Sequence, residues 1–148
     1  MIEVCYRPST AAYTKLTFSD NNWNFAVELL QPTSSPRVIG LIGAVRAPEI
    51  GYMFNADYWG HGYATEALRA FMPLFFEYYS GGENQRYDYA EALTDTELVS
   101  SQSVLLKAGF KLHERREKDF ENPVLGIRDT LVYRMQRSDA TRGRIGHP

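Results

Sequence analysis

Apolar and polar positions fall into short, regularly bounded blocks from Asn24 onward, and each block predicts an element. Phe25-Ala26-Val27-Glu28-Leu29-Leu30 reads as a strand closed by the turn-forming run Gln31-Pro32-Thr33-Ser34-Ser35-Pro36. Val38-Ile39-Gly40-Leu41-Ile42-Gly43-Ala44-Val45 is apolar on both faces, as expected of a central strand covered on both sides. Ala47-Pro48 then turns the chain into Glu49 to Phe54, so three antiparallel strands follow one another. After them the period changes. Ala64, Leu68, Phe71, Phe75 and Tyr78 recur at four, seven, eleven and fourteen residues, which is one stripe of a helix running from about Ala64 to Tyr79. Pro73 lies inside that helix and predicts a kink, and Gly81-Gly82 supplies its stop.

The second half is read the same way. Tyr87 to Leu93 predicts a strand. Thr94 with Glu97 matches a capping box, opening a helix that runs to Ala108 and ends at Gly109. Phe110 to Arg116 predicts a strand with Phe110 and Leu112 inward. The charged stretch Glu117 to Asp129, with Asn122-Pro123 and Gly126, reads as a hairpin loop, and Thr130 to Met135 as the last strand. Residues 1 to 22 carry less pattern: Ile2 to Tyr6 reads as a short strand and Ser9 to Phe18 as a helix or a loop. Residues 1–137 are expected to form a single domain, with a polar, glycine-containing tail over 138–148. The class is α/β in the α+β sense.

Composition narrows the function. At 148 residues, 44% hydrophobic and 23% charged, the chain can bury a real core. Its net charge of -2, from 16 basic and 18 acidic residues, argues against a nucleic-acid or anionic-membrane surface. Cys5 is the only cysteine, which excludes an internal disulfide or thiolate cluster, and His61, His113 and His147 show no metal-ligand spacing. No apolar run has the length of a membrane span and no signal region opens the chain. The expectation is a cytoplasmic protein with no nucleic-acid, membrane or metal partner.

The candidate chemistry sits at Asp57-Tyr58-Trp59-Gly60-His61-Gly62-Tyr63-Ala64-Thr65-Glu66, a glycine turn feeding a helix. Glycines on either side of one residue allow backbone dihedrals closed to other side chains and let a ligand approach without meeting a Cβ. The free N–H groups of His61, Gly62, Tyr63 and Ala64, reinforced by the helix dipole, suit phosphate oxygens. The turn alone is weak evidence, since such turns often serve geometry only.

Together with Glu49-Ile50-Gly51-Tyr52-Met53-Phe54 before it, this turn resembles the acetyl-CoA-binding core of the GNAT superfamily of N-acetyltransferases, closest to the branch acting on ribosomal-protein N-termini. Ser101-Gln102-Ser103-Val104-Leu105-Leu106-Lys107-Ala108-Gly109-Phe110 resembles that branch's helix ending in Gly-Phe. The resemblance spans about residues 25 to 135. It implies a mixed, mostly antiparallel central sheet with a splayed strand pair and flanking helices, its N-terminal part shortened here. A truncation, a segment swapped from a partner, or a reduced fold each account for that shortening, and a homodimer stays open.

The resemblance also implies roles. Pantetheine of acetyl-CoA would lie against the main chain of Tyr52, Met53 and Phe54, with a main-chain N–H, that of Met53 first, stabilising the oxyanion. The diphosphate would meet the loop of Trp59, Gly60, His61, Gly62, Tyr63, Ala64 and Thr65. Trp59 is expected to wedge that loop against the core, and Lys107 or Arg69 to be a surface charge rather than a CoA phosphate contact. Glu49 is the leading general base, with Glu91 in reserve; a carboxylate of pKa about 4 needs a raised pKa or a water relay to accept an ammonium proton. Many relatives place a proton-donating tyrosine where Leu105 stands, and an asparagine where Leu98 stands. Ser101 is then the remaining donor or thiol contact, with solvent as the other source of the proton.

The implied activity is acetyl transfer from acetyl-CoA to a primary amine, a protein N-terminus or a small molecule, by direct attack in a ternary complex. A non-catalytic acyl-CoA-binding module is the competing reading, favoured by Leu98, Leu105 and the short N-terminus. A dinucleotide-binding fold is disfavoured, because threonine stands at position 65 where its fingerprint has glycine and the preceding strands look hairpin-connected.

Overall fold

A computed structural model describes residues 2–4 (backbone only), 23–30, 35 and 37–140. The expectation for Ser9 to Phe18 therefore lies outside the described residues, as do positions 141–148 of the expected tail; residues 137–140 form a helical turn rather than loose chain. The described strands are β1 (Ile2–Val4), β2 (Trp23–Leu29), β3 (Arg37–Arg46), β4 (Glu49–Phe54), β5 (Tyr89–Asp95), β6 (Lys111–Asn122) and β7 (Gly126–Gln136). The helices are α1 (Tyr63–Tyr78) and α2 (Val99–Ala108). The strands form one sheet of order β1-β2-β3-β4-β5-β7-β6. Every neighbouring pair is antiparallel except β4 and β5, as the expected mixed, mostly antiparallel class requires.

Register sorts side chains onto two faces. Trp23, Phe25, Ile42, Ala44, Ile50 and Tyr52 are cross-strand partners on one face, since Trp23 opposes Ala44, Phe25 opposes Ile42, and these oppose Ile50 and Tyr52. Helix α1 covers that face. Its Phe71 lies 5.5 Å from the Trp23 ring and 6.1 Å from Phe25, and Tyr78 stacks on Trp23 at 4.4 Å. The predicted stripe is what seals the core, with Leu68, Phe71 and Phe75 fully buried. Pro73 is carried inside a continuous helix. β3 is buried at Ile39 and from Ile42 to Ala44, but Val38 and Val45 are exposed, so only its middle is covered on both sides.

Three expectations in the second half are corrected. Thr94 belongs to β5, opposite Leu131, and does not cap α2; instead Asp95 Oδ1 accepts the Glu97 N–H at 2.9 Å and the helix starts at Val99. Ladder pairing has overridden the local capping signal. The stretch Glu117 to Asp129 is not a loop but the far end of a long β6–β7 hairpin, turning only at 123–125, where Asn122 Oδ1 accepts the N–H groups of Val124 and Leu125. Leu112 is exposed rather than inward, while Phe110 is buried. β6 is an exposed edge strand, so burial imposes no alternation on its sequence.

Candidate active site

The loop before α1 is built from a short turn. Asn55 Oδ1 caps it by accepting the Asp57 N–H, and the N–H groups of Tyr58 and Trp59 bond to the carbonyls of Asn55 and Ala56. Gly60 and Gly62 follow with φ of 79° and 78°, the left-handed conformation that favours glycine. Gly62 is the N-cap and has no side chain to cap with; the first helical bond runs from Glu66 N–H to its carbonyl. Among the described residues the N–H groups of Gly60 through Thr65 meet no acceptor. A Cβ at Gly60 or Gly62 would touch nothing within 4 Å, so the concavity is open. The His61 Nδ1 lies 2.9 Å from the Trp59 carbonyl and its ring stacks on Tyr63, which holds the imidazole to the loop. Trp59 departs from expectation: it is exposed and does not wedge against the core, while its Nε1–H donates to the Phe54 carbonyl at 2.9 Å, fastening the loop to β4.

Beside this loop the sheet opens. β4 and β5 share one rung, Glu49 with Glu91, where the Glu91 N–H reaches the Pro48 carbonyl at 2.9 Å. Antiparallel ladders alternate which residues bond across a given edge. The bond from Asn55 N–H to the Ile39 carbonyl fixes that alternation for β3 and β4, so Gly51 and Met53 bond toward β3 and Tyr52 and Phe54 turn toward β5. In the same way the bond from Arg137 N–H to the Asp88 carbonyl turns Leu93 toward β4. Past the single rung, the main-chain groups of Tyr52, the Phe54 N–H and the main-chain groups of Leu93 therefore face a slot between diverging strands. The Met53 N–H, expected to face the oxyanion, points into the β3 ladder instead. An adjacent extended ligand would be held as a further strand is, through main-chain bonds.

The two faces of the slot carry different chemistry. Residues three on from the rung, Tyr52 and Thr94, share the face covered by α1. There the Tyr52 hydroxyl lies 3.0 Å from Ser101 Oγ, across the slot in the first turn of α2, and burial raises its pKa above the ordinary phenol value. Thr94 Oγ1 is buried with no partner among the described residues. The opposite face carries Glu49, Glu91 and Asp95, beside exposed Met53 and Leu93. Glu91 accepts from Arg134 Nε at 2.8 Å and is committed to that pair, whereas the Glu49 side chain makes no hydrogen bond or ion pair among the described residues. Asp95 is held by Arg128 at 2.8 Å, and Arg69 donates to the Lys107 carbonyl, tying α1 to the end of α2. Leu105, one turn beyond Ser101, is sealed in the core, and Leu98 is exposed. Sequence reasoning used only the main chain of Tyr52; a tyrosine on an otherwise apolar strand face, needing a partner for its hydroxyl, was the available signal.

Residues 6–111 match the model of the acetyltransferase (GNAT) domain family. The chain belongs to this family. GNAT folds among solved structures superpose on it. An acetyltransferase of the GNAT family from Bacillus anthracis matches with a TM-score of 0.64 and 23% identity over 78% of this chain and 66% of its own. Ribosomal-protein-S5-alanine acetyltransferase from Vibrio fischeri gives 0.64 and 17%, over 81% of this chain and 64% of its own. Spermidine N-acetyltransferase from Vibrio cholerae, in complex with CoA and spermine, gives 0.67 and 14%, over 82% and 69%. This chain thus spans about two thirds of the length of these GNAT proteins. No curated protein sequence matches it. Among the described residues no helix is long and apolar enough to cross a membrane, and no group of His, Cys, Asp or Glu is arranged to hold a metal.

Proposed function

We propose that this protein is an acetyl-CoA-dependent N-acetyltransferase that passes the acetyl group to a primary amine, a protein N-terminus or a small amine, by direct attack. The observation that carries the proposal is the slot at the single β4–β5 rung, continuous with an open run of unbonded N–H groups from Gly60 to Thr65. An extended amide-bearing chain ending in a diphosphate matches both parts: amides for the slot, phosphoryl oxygens for the helix start. In this reading the thioester lies between the two sheet faces. Glu49, unpaired on the exposed face, takes the proton of the attacking amine through water, and the N–H of Tyr52 or Phe54 meets the developing oxyanion.

The test has two arms. CoA should raise the melting temperature progressively as its concentration exceeds the dissociation constant; at a hundredfold excess the stabilisation is about 2.7 kcal/mol. Acetyl-CoA with a panel of amines should release free thiol. No thermal shift with CoA or acetyl-CoA removes the proposal. A shift without thiol release across the panel leaves an acyl-CoA-binding module of the same fold, the reading that buried Leu105 and exposed Leu98 favour because neither offers a polar group.

A further inference from the structure

Aminolysis of a thioester ends with a thiolate that needs a proton, and the helix-covered face of the slot holds three hydroxyl groups that could serve. Ser101 sits in the first turn of α2 and Tyr52 reaches it from β4, 3.0 Å from Oγ and 3.4 Å from the Ser101 carbonyl. Because the Ser101 carbonyl can only accept, the Tyr52 O–H has a donor position defined by α2, and Ser101 Oγ can return a hydrogen to it. Thr94, at the register position across the slot from Tyr52, carries a buried hydroxyl with no partner among the described residues. A buried hydroxyl without a partner is costly, so Thr94 Oγ1 calls for a water or a polar ligand atom in the slot.

We propose that the Tyr52 hydroxyl is the general acid of the transfer, with Ser101 as its positioning residue. The inference rests on the acetyl-CoA reading above. The amine nitrogen bonds to the thioester carbonyl carbon, and the C–S bond breaks with its electron pair passing to sulfur. The Tyr52 proton moves to that sulfur to give the free thiol, while the surplus proton on nitrogen leaves to water on the Glu49 face. The resulting phenolate is reprotonated from solvent through Ser101. Base and acid thus stand on opposite faces of the sheet, with the reacting carbonyl between them. Burial keeps the phenol protonated well into alkaline solution, which suits a donor.

The experiment compares wild type with Tyr52→Phe and Ser101→Ala, using acetyl-CoA and an aryl thioester whose thiol is far more acidic. Tyr52→Phe should lower kcat with acetyl-CoA about a hundredfold or more, the usual range for a general acid, and leave the CoA thermal shift unchanged. With the aryl thioester its defect should shrink to about threefold or less, because that leaving group departs without a proton. The alkaline limb of the wild-type rate profile should disappear in Tyr52→Phe, and Ser101→Ala should lose activity by a smaller factor, about tenfold. An undiminished Tyr52→Phe rate, or equal loss with both donors, overturns the acid assignment while wild-type turnover keeps the transferase reading. A wild type that CoA does not stabilise overturns both.

Discussion

At the scale of single residues, Gly62 shows how a backbone requirement becomes a chemical one. Its φ of 78° costs another residue about 1–2 kcal/mol, yet nothing near it would obstruct a Cβ. Gly62→Ala should therefore lower stability by about 1 kcal/mol, read from denaturant unfolding, and should weaken CoA by more than that strain implies, because the added methyl enters the open space through which the ligand would approach the loop. Equal CoA affinity in the variant would mean that the ligand does not approach there. This site was legible in the sequence because Gly-x-Gly, its spacing to the helical stripe and the strand before it are all local. The Tyr52–Ser101 contact was not, since it joins positions 49 apart in the chain through a register that no local pattern encodes. Neither was the loss of Met53, whose peptide direction depends on the parity of its pairing with β3.

Among elements, the junction of β5 and α2 is where the sequence and the structure part most clearly. The Thr94 capping signal yields to a ladder, and Asp95 takes over the end of the strand, accepting from Glu97 N–H and from Arg128 Nε and Nη2. The Arg128 hydrogen bond, more than any other influence, pulls the Asp95 carboxyl from 3.8 down to about 2. A depressed folded-state pKa means the contribution is present above the unfolded value, near 4, and is lost as pH falls toward 2. Asp95→Asn should lower stability at pH 7 and flatten the acid limb of the stability profile between those values, measured by thermal melts across pH. Some slope should survive, because Asp129 is also depressed, by the Lys118 N–H and then by Arg115. The same reasoning explains the misread hairpin. β6 alternates in pairing but not in burial, so its charge pattern resembles a loop while its backbone does not.

Across the whole molecule, helices and one arginine join what the sheet leaves apart. Arg137 donates to the carbonyls of Tyr87, Phe76 and Tyr79 and lies over the Phe76 ring, so a single guanidinium gathers the end of α1, the segment leading into β5 and the end of β7. Burial lowers its pKa, the cost of placing the charge there. An ammonium cannot reproduce this fork, so Arg137→Lys should destabilise the fold by on the order of 2 kcal/mol, and Arg137→Ala by more, in denaturant unfolding. Little change in either would show that the carbonyls are equally content with water.

The lone rung between Glu49 and Glu91 sets how the two portions of the sheet communicate. Four strands stand on one side of it and three on the other, and almost no peptide-to-peptide bonding crosses the seam. Main-chain bonding is complete within each portion but not between them, so anything threaded into the opening would act as a splint. A bound cofactor would then do more than react: it would stiffen the domain and make both portions lose structure together.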